Sequence, residues 1–269
     1  WAPVFSPAAV VAGWAGAAGA VTSVSNACAA GGFALSVAAD LIRSGEADVV
    51  IAGGAEAYSR VALGCFNRLG AIDPSRCRPF DRERAGTVFG EGAAIMVLES
   101  AEHAAARGAA KRYAALTGAG WSCDAYHSTA PEPNGAQIIR AMRQALDEAG
   151  IAPADVGAVV PHGTGTRLND TVESSALAEV LGPDGPPLYS LKALIGHTGG
   201  AAGALAALAG ALIVAHRQVP PNVPLGEQDP ECPVPLPAAP VPLTGSAVLV
   251  NAYAFGGNNV SLVLQEAGS

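Results

Sequence analysis

The sequence predicts an α/β fold with mixed sheets, and three observations carry that expectation. Short Val-rich apolar runs alternate with longer stretches of small and apolar residues at helical spacing. Gly45 and Gly150 stand where two helices should stop, and Pro153 follows the second. Hydrophobic residues make up 50% of the chain and charged ones 14%, enough apolar surface for one large domain or two intimately packed ones.

The elements follow in order. Residues 1–20 have a weak pattern and read as irregular or a short helix. A strand at 21–25 leads into a helix at 28–44, then a strand at 48–53. A long Arg-rich connection spans 56–92 before a strand at 93–99. A strand at 113–119 is followed by helix 135–149, strand 156–160, helix 169–181 and strand 187–191. Helix 199–216, a Pro-rich loop at 219–243 and strands at 246–251 and 259–265 complete the chain. The order repeats. Strand, Cys28, small-residue helix, strand and Gly53-Gly54 are matched by strand, His197, small-residue helix, strand and Gly256-Gly257. Two half-domains of one design would bring both helix N-termini to a shared pseudo-dyad, with Cys28 facing His197.

A formal charge of −8 argues against nucleic acid as a partner. Arg60, Arg68, Arg76, Arg78, Arg82 and Arg84 crowd one stretch, which reads either as a docking patch for an acidic partner or as a solvated loop with local ion pairs. The five cysteines are odd in number and lack metal spacing, and no signal-peptide pattern opens the sequence; together these predict a reducing, cytoplasmic setting. The apolar run 201–215 is short for a membrane span and reads as a buried helix. No dinucleotide fingerprint or phosphate loop occurs, and no bound cofactor or metal is expected.

The chemistry concentrates at Cys28, in Val24-Ser25-Asn26-Ala27-Cys28-Ala29-Ala30-Gly31-Gly32. A thiol at a sharp strand-to-helix turn meets free N–H groups and the positive helix end, and both favour thiolate. Cys65, Cys77, Cys123 and Cys232 read as inert small hydrophobes. His162 leaves a strand into Gly163-Thr164-Gly165-Thr166, and His197 opens a buried helix. Each alone reads equally as a backbone-satisfied loop or capping histidine; beside Cys28, both favour chemistry, as neutral imidazoles donating to a carboxylate or enolate. Lys192 is either a surface lysine at a strand end or a buried one paired with Glu173. Gly256-Gly257 after Phe255 is either a tight turn or a close backbone approach, with the Cys28 and Phe255 N–H groups as an oxyanion hole. His127 has no evident local partner, while His103 and His216 read as structural.

With Ala52-Gly53-Gly54-Ala55-Glu56, Arg78-Pro79-Phe80-Asp81-Arg82, Phe89-Gly90-Glu91-Gly92-Ala93, Asp124-Ala125-Tyr126-His127 and Phe255-Gly256-Gly257-Asn258-Asn259, these motifs form a specific ordered set. Over nearly its whole length the chain resembles the beta-ketoacyl-acyl carrier protein synthases. These are the thiolase-fold condensing enzymes of fatty acid and polyketide assembly.

The resemblance implies a thiolase-like fold of two pseudo-repeated halves in α-β-α-β-α layers with mixed five-stranded sheets. Residues 1–112 would be the remainder of the N-terminal half and 113–269 the C-terminal half. It implies that Cys28 takes an acyl group as a thioester. His162 and His197 would assist decarboxylation of a malonyl-carrier substrate, and Lys192, paired with Glu173, would tune them. Thr164 and Thr166, joined by Thr129, resemble the pantetheine contacts, and Phe255 with Gly256-Gly257 resembles the gate. Arg68 lies near the family's carrier-docking arginine. The implied partners are an acyl carrier protein, an identical or related ketosynthase-like subunit, and a separate N-terminal fragment.

Family members carry further N-terminal residues, and Asn258 stands where the family often has Thr. The Cys-His-His set separates the chain from Cys-His-Asn initiating synthases, and Cys28 separates it from chain-length partner subunits. A non-decarboxylative acyltransferase and a non-catalytic carrier-binding scaffold are the rival readings.

Overall fold

The computed structural model describes residues 3–268. Helix α1 (Ser6–Ala15) starts with Pro7 in its first turn and stops at the left-handed Gly16, and none of its residues is buried. Residues 18–26 form no strand, contrary to the one expected at 21–25: the run has β-forming residues, but no neighbouring strand among the described residues offers it a ladder. A single 3-10 turn, Ala27–Ala29, then opens α2 (Ala30–Arg43).

Strands β1 (Val49–Glu56) and β2 (Gly92–Glu99) form an antiparallel ribbon. The Arg-rich connection between them contains a helix that its sequence pattern does not predict, α3 (Arg60–Arg68); the Ser59 hydroxyl caps it by accepting the Ala62 N–H. Helix α4 (Ala101–Ala106) follows, then β3 (Ala115–Cys123), α5 (Ala136–Ala149), β4 (Val156–Val160) and α6 (Arg167–Leu181).

The strand expected at 187–191 shrinks to one parallel bridge, Leu188 to Val159, beside which Lys192–Ile195 turn as the short α7. Helix α8 (Ala202–His216) is followed by β5 (Gln218–Val219) and β6 (Val241–Pro242), a small ladder that closes the Pro-rich loop. The last hairpin is β7 (Ala247–Ala254) with β8 (Asn258–Gln265).

The main sheet runs β3-β8-β7-β4, mixed as expected, with β4 parallel to β7 and the other pairs antiparallel. The Leu188 bridge stands where a fifth strand would be. Helices α5 and α6 cover one face, burying Ile138, Met142, Leu146, Val172 and Leu177 against Val159, Leu249 and Val263. Helices α2 and α8 cover the other, and the β1–β2 ribbon lies beyond them. The order is thus helix, sheet, helix, sheet. The ribbon's outer face carries exposed Val49, Ile51, Ile95 and Val97.

The stretch Gly199–His216 is apolar enough for a membrane span by composition, but the fold buries it as the central helix. It has no polar face because it touches the main sheet, the ribbon and α2 at once. The two central helices meet backbone to backbone. A Cβ on Gly31 would stand 2.8 Å from the Ala204 nitrogen, and one on Gly203 would stand 2.5 Å from the Gly32 nitrogen. We expect Gly203→Ala to cost about 1–3 kcal/mol through forced separation of the helices. Gly13→Ala, where a Cβ meets nothing within 4 Å, should leave thermal unfolding unchanged or slightly raised.

Candidate active site

The site forms where the N-termini of α2 and α8 converge, as the internal repeat predicts. Ala27 lies in the left-handed region at φ 45°, unusual for a residue with a Cβ, and this bend aims Cys28 inward. Only 9% of Cys28 is exposed. The Cys28 and Phe255 N–H groups both act on its sulfur, so the two donors expected to form an oxyanion hole do converge.

The thiolate expectation is corrected. Burial dominates and pushes the Cys28 thiol up to about 11, against the opposing pull of Lys192 and of the two N–H groups. Of the other cysteines, Cys77 and Cys232 are buried as expected, while Cys65 and Cys123 are exposed rather than part of the core.

His162 and His197 come together with ring centres 5.6 Å apart and planes nearly perpendicular. His162 sits at the end of β4, beyond Pro161. Its N–H and that of Gly163 donate to the Glu173 carboxylate at 2.8 and 2.7 Å. Lys192 donates to the His162 carbonyl oxygen and lies 3.5 Å from His162 Nδ1. An ammonium facing Nδ1 makes that nitrogen the acceptor and places the imidazole proton on Nε2.

His197 is held by the Phe89-Gly90 motif: its N–H donates to the Val88 carbonyl at 2.7 Å, and its carbonyl accepts the Gly90 N–H at 3.0 Å. The Phe89 ring stacks on it with centres 6.2 Å apart. Its Nδ1 is buried and makes no hydrogen bond among the described residues.

Burial, then the Lys192 charge, depresses both imidazoles, His162 well below its ordinary value and His197 to about 3. Both are neutral near pH 7. The buried Lys192 is lowered by burial, with Glu173 the largest opposing charge. Glu173 is pushed up to about 7, again by burial, against the pull of the Gly163 and His162 N–H groups. The expected direct Lys192–Glu173 pair is also corrected. Lys192 bonds to His162 while Glu173 bonds to the backbone, so the two act on each other through space.

Phe255, Gly256 and Gly257 form the three-residue turn of the β7–β8 hairpin. The tight-turn reading of this segment is the one the hairpin shows. Phe255 stacks flat on Phe66 of α3 with centres 4.8 Å apart, and Phe66 meets Phe89 edge to face at 4.7 Å. Asn258 accepts from Asn26, just before the nucleophile turn, at 3.2 Å. The Thr164 and Thr166 hydroxyls lie 2.9 Å apart at the mouth of the His162 loop. Thr129 is half-buried beside the β7–β8 turn, whose Gly256 N–H donates to the Ser128 carbonyl at 2.9 Å. His127 gains local partners, accepting the Thr129 and Ala130 N–H groups at 3.1 Å each. His103 is structural, bonded to Glu99 at 2.8 Å. Arg68 is exposed at the end of α3 and is not brought into the site.

Several supporting residues escaped the sequence reading. Buried Asp170 accepts the Phe80, Thr164 and Gly165 N–H groups at 2.9, 3.0 and 3.1 Å. Arg84, 2% exposed, donates to the Thr166 and Arg167 carbonyls and pairs with Asp229. The two therefore hold the His162–Thr166 loop in place. Asp170 sits eight residues after His162, but nothing in a helix pattern distinguishes it from a solvated acid. Arg84 was hidden in a cluster of arginines.

Two family models match the chain: the beta-ketoacyl synthase N-terminal domain over residues 6–104 and the C-terminal domain over residues 113–226. The chain belongs to the beta-ketoacyl synthase family. It is 40% identical to the oxytetracycline polyketide beta-ketoacyl synthase 1 of Streptomyces rimosus, covering 98% of this chain and 64% of that one. It is 39% identical to the 3-oxoacyl-[acyl-carrier-protein] synthase 2 of Mycobacterium bovis, covering 91% of this chain and 60% of the relative.

Among solved structures, the ishigamide ketosynthase/chain length factor superposes with TM-score 0.88 at 44% identity, covering 92% of this chain and 61% of that one. A type II polyketide synthase acyl-carrier protein in complex with its ketosynthase bound to the hexaketide gives 0.93 at 35% identity, covering 98% and 67%. The fold is the thiolase-like fold of these ketosynthases. The chain spans about 60–64% of the length of the curated relatives it matches.

Two predictions follow from the titration of this site. With the thiol near 11, Cys28 alkylation by iodoacetamide should rise about tenfold per pH unit from pH 7 to 9, without a plateau. For His197 the folded pKa of about 3 lies below the unfolded value near 6.5, so below pH 6.5 the unfolded chain takes up a proton the fold excludes. The stability it contributes is present above 6.5 and is lost as pH falls toward 3. His197→Gln should remove about 1.4 kcal/mol per pH unit from the slope of unfolding free energy between pH 6 and 4, read by denaturant titration.

Proposed function

We propose that this chain carries the reacting centre of a ketosynthase that extends an acyl chain by decarboxylative Claisen condensation. The convergence of Cys28, two neutral histidines and a buried lysine at paired helix N-termini is the observation that carries the reading. The Cys28 thiol attacks the thioester carbonyl of an acyl group on a carrier protein. The acyl–sulfur bond to the carrier breaks, the carrier leaves as its thiol with the proton from Cys28, and acyl-Cys28 forms. A malonyl-carrier thioester then enters. His162, with its proton on Nε2, and His197 donate to the thioester oxygen as the carboxylate departs as carbon dioxide.

The enolate carbon attacks the acyl-Cys28 carbonyl, whose oxyanion meets the Cys28 and Phe255 N–H groups. Collapse breaks the acyl–Cys28 bond, releases the beta-ketoacyl-carrier product and leaves Cys28 as a thiolate, which regains its proton from water. Imidazoles that stay neutral beside Lys192 suit this role, because they donate hydrogen bonds to the enolate without giving up a proton that would quench it. Thr164, Thr166 and Thr129 would meet the pantetheine arm, Phe255-Gly256-Gly257 would gate the acyl pocket, and Arg68 would receive the acidic carrier. The substrates arrive on carrier phosphopantetheine, so the reaction calls for no resident cofactor.

We further propose that residues 1–112 and 113–269 belong to the two halves of the fold, since each contributes one sheet and one of the paired helices. A related ketosynthase-like subunit is the proposed partner, supported by solved relatives described as ketosynthases with a chain length factor. The proposed location is cytoplasmic, where carrier-bound intermediates are made.

Cys28→Ala should abolish acyl loading from an acyl-carrier thioester, seen as loss of the mass adduct, while carrier binding persists. His162→Ala and His197→Ala should still load but lose carbon dioxide release from malonyl-carrier protein by about 100-fold or more. Loading without any carbon dioxide release by the unaltered protein would favour a non-decarboxylative acyltransferase. Binding of carrier with no adduct at all would favour a scaffold.

A further inference from the structure

Glu56 closes the Ala52-Gly53-Gly54-Ala55-Glu56 motif at the end of β1, and no step above uses it. Its half-buried carboxylate accepts the Gly200 N–H through Oε2 at 2.9 Å. Gly200 belongs to the 3-10 turn Gly199–Ala201, which follows His197-Thr198 and leads into α8. A Cβ on Gly199 would stand 2.1 Å from the same oxygen, so only glycine, here at φ 46°, lets the carboxylate seat against this backbone.

A Cβ on Gly200 would stand 3.7 Å from that oxygen and 3.8 Å from the Ala27 carbonyl oxygen. The carboxylate is therefore about one side chain away from the peptide leading into Cys28. Neither α2 nor α8 has an acidic residue in its own first turn. The anion that such helix ends favour comes instead from β1.

We propose that Glu56 is a positioning residue of the site: its carboxylate pins the His197–α8 junction at Gly199-Gly200 and places a negative charge near the Cys28 turn. The inference rests on the function proposed above. Two charges act on Cys28 from opposite directions. Lys192, from α7, favours the thiolate and Glu56, from β1, opposes it, while the Cys28 and Phe255 N–H groups add to the pull of Lys192. His162 and His197 are neutral and leave this balance unchanged. Burial keeps the nucleophile a thiol and the Glu56 charge adds to that effect, so Cys28 is poorly reactive toward stray electrophiles and loses its proton as it attacks the carrier thioester.

The test is iodoacetamide alkylation from pH 7.5 to 10, mapped to each cysteine by mass spectrometry, on the unaltered protein, Glu56→Gln and Glu56→Asp. The glutamine keeps an oxygen for the Gly200 N–H without the charge; the aspartate keeps the charge with a shorter reach. Cys28 in Glu56→Gln should alkylate about threefold to tenfold faster at pH 8, which corresponds to about half to one pH unit in its profile. Glu56→Asp should stay within about twofold of the unaltered protein, since a like charge remains.

Exposed Cys65 is the rate reference, and fully buried Cys232 reports unfolding. If Cys232 becomes reactive in Glu56→Gln, Glu56→Ala is measured the same way. Opening of Cys232 in both would show a purely structural carboxylate and overturn the charge role. Coincident Cys28 profiles in Glu56→Gln and the unaltered protein would overturn it as well. Acyl loading of the unaltered protein, followed in parallel, tests the proposed function independently.

Discussion

The close approach of two small-residue helices at their N-termini is the constraint on which the rest depends. Gly31 and Gly32 on α2 meet Gly203 and Ala204 on α8 with no side chain between the backbones. At that separation the turn carrying Cys28 and the turn following His197 share one space. Any larger residue at these positions would move the nucleophile and the second histidine apart together. The central sheet, through Val250, Ala252, Val260 and Leu262, and the ribbon, through Ala52 and Met96, both pack on this helix pair. The pair is thus both the core of the molecule and the frame of its site.

Burial then decides the charge state of what converges there. A lysine and the N–H groups of Cys28 and Phe255 all favour a thiolate at Cys28, yet desolvation outweighs them. The same desolvation keeps His162 and His197 neutral beside Lys192, and raises Glu173 toward neutrality although two N–H groups address it. A site poised in this way sets neutral imidazole and N–H donors around the reacting atoms, with Lys192 held against His162. Charge appears in it as the substrate reacts, and fixed N–H and imidazole donors are already in position to receive it.

The supports of the site form a second tier. Asp170 and Arg84 hold the His162–Thr166 loop from beneath, and their partners come from Phe80, Thr171 and the Pro-rich loop at Asp229. Phe89-Gly90 holds His197 by a short parallel bridge. These contacts explain why motifs far apart in the chain, such as Arg78–Arg82 and Phe89–Ala93, accompany the reacting residues. They also show why the work of each motif is not visible until the chain is folded, although their order already carries the resemblance: each works through its backbone or through a buried side chain whose partner lies elsewhere.

The sequence by itself determined the alternation of strands and helices, the internal repeat, and the identities of Cys28, His162, His197 and Lys192. Those features are local: apolar period, glycine stops, and reactive residues at element ends. Strand 156–160 and the helix beginning near residue 28 were legible for that reason. The absent strand at 21–25 and the single bridge at Leu188 were not, because a strand exists only with a neighbour, and apolar composition does not supply one. Helix α3 was missed because its apolar face is short and interrupted by Gly64 and Asn67. Tertiary structure alone decided that Glu173 holds backbone instead of pairing directly with Lys192, that Asp170 and Arg84 meet beneath the loop, and that Cys28 rests as a thiol. Each of these depends on distance and burial between segments remote in the chain, and desolvation has no signature in the order of residues.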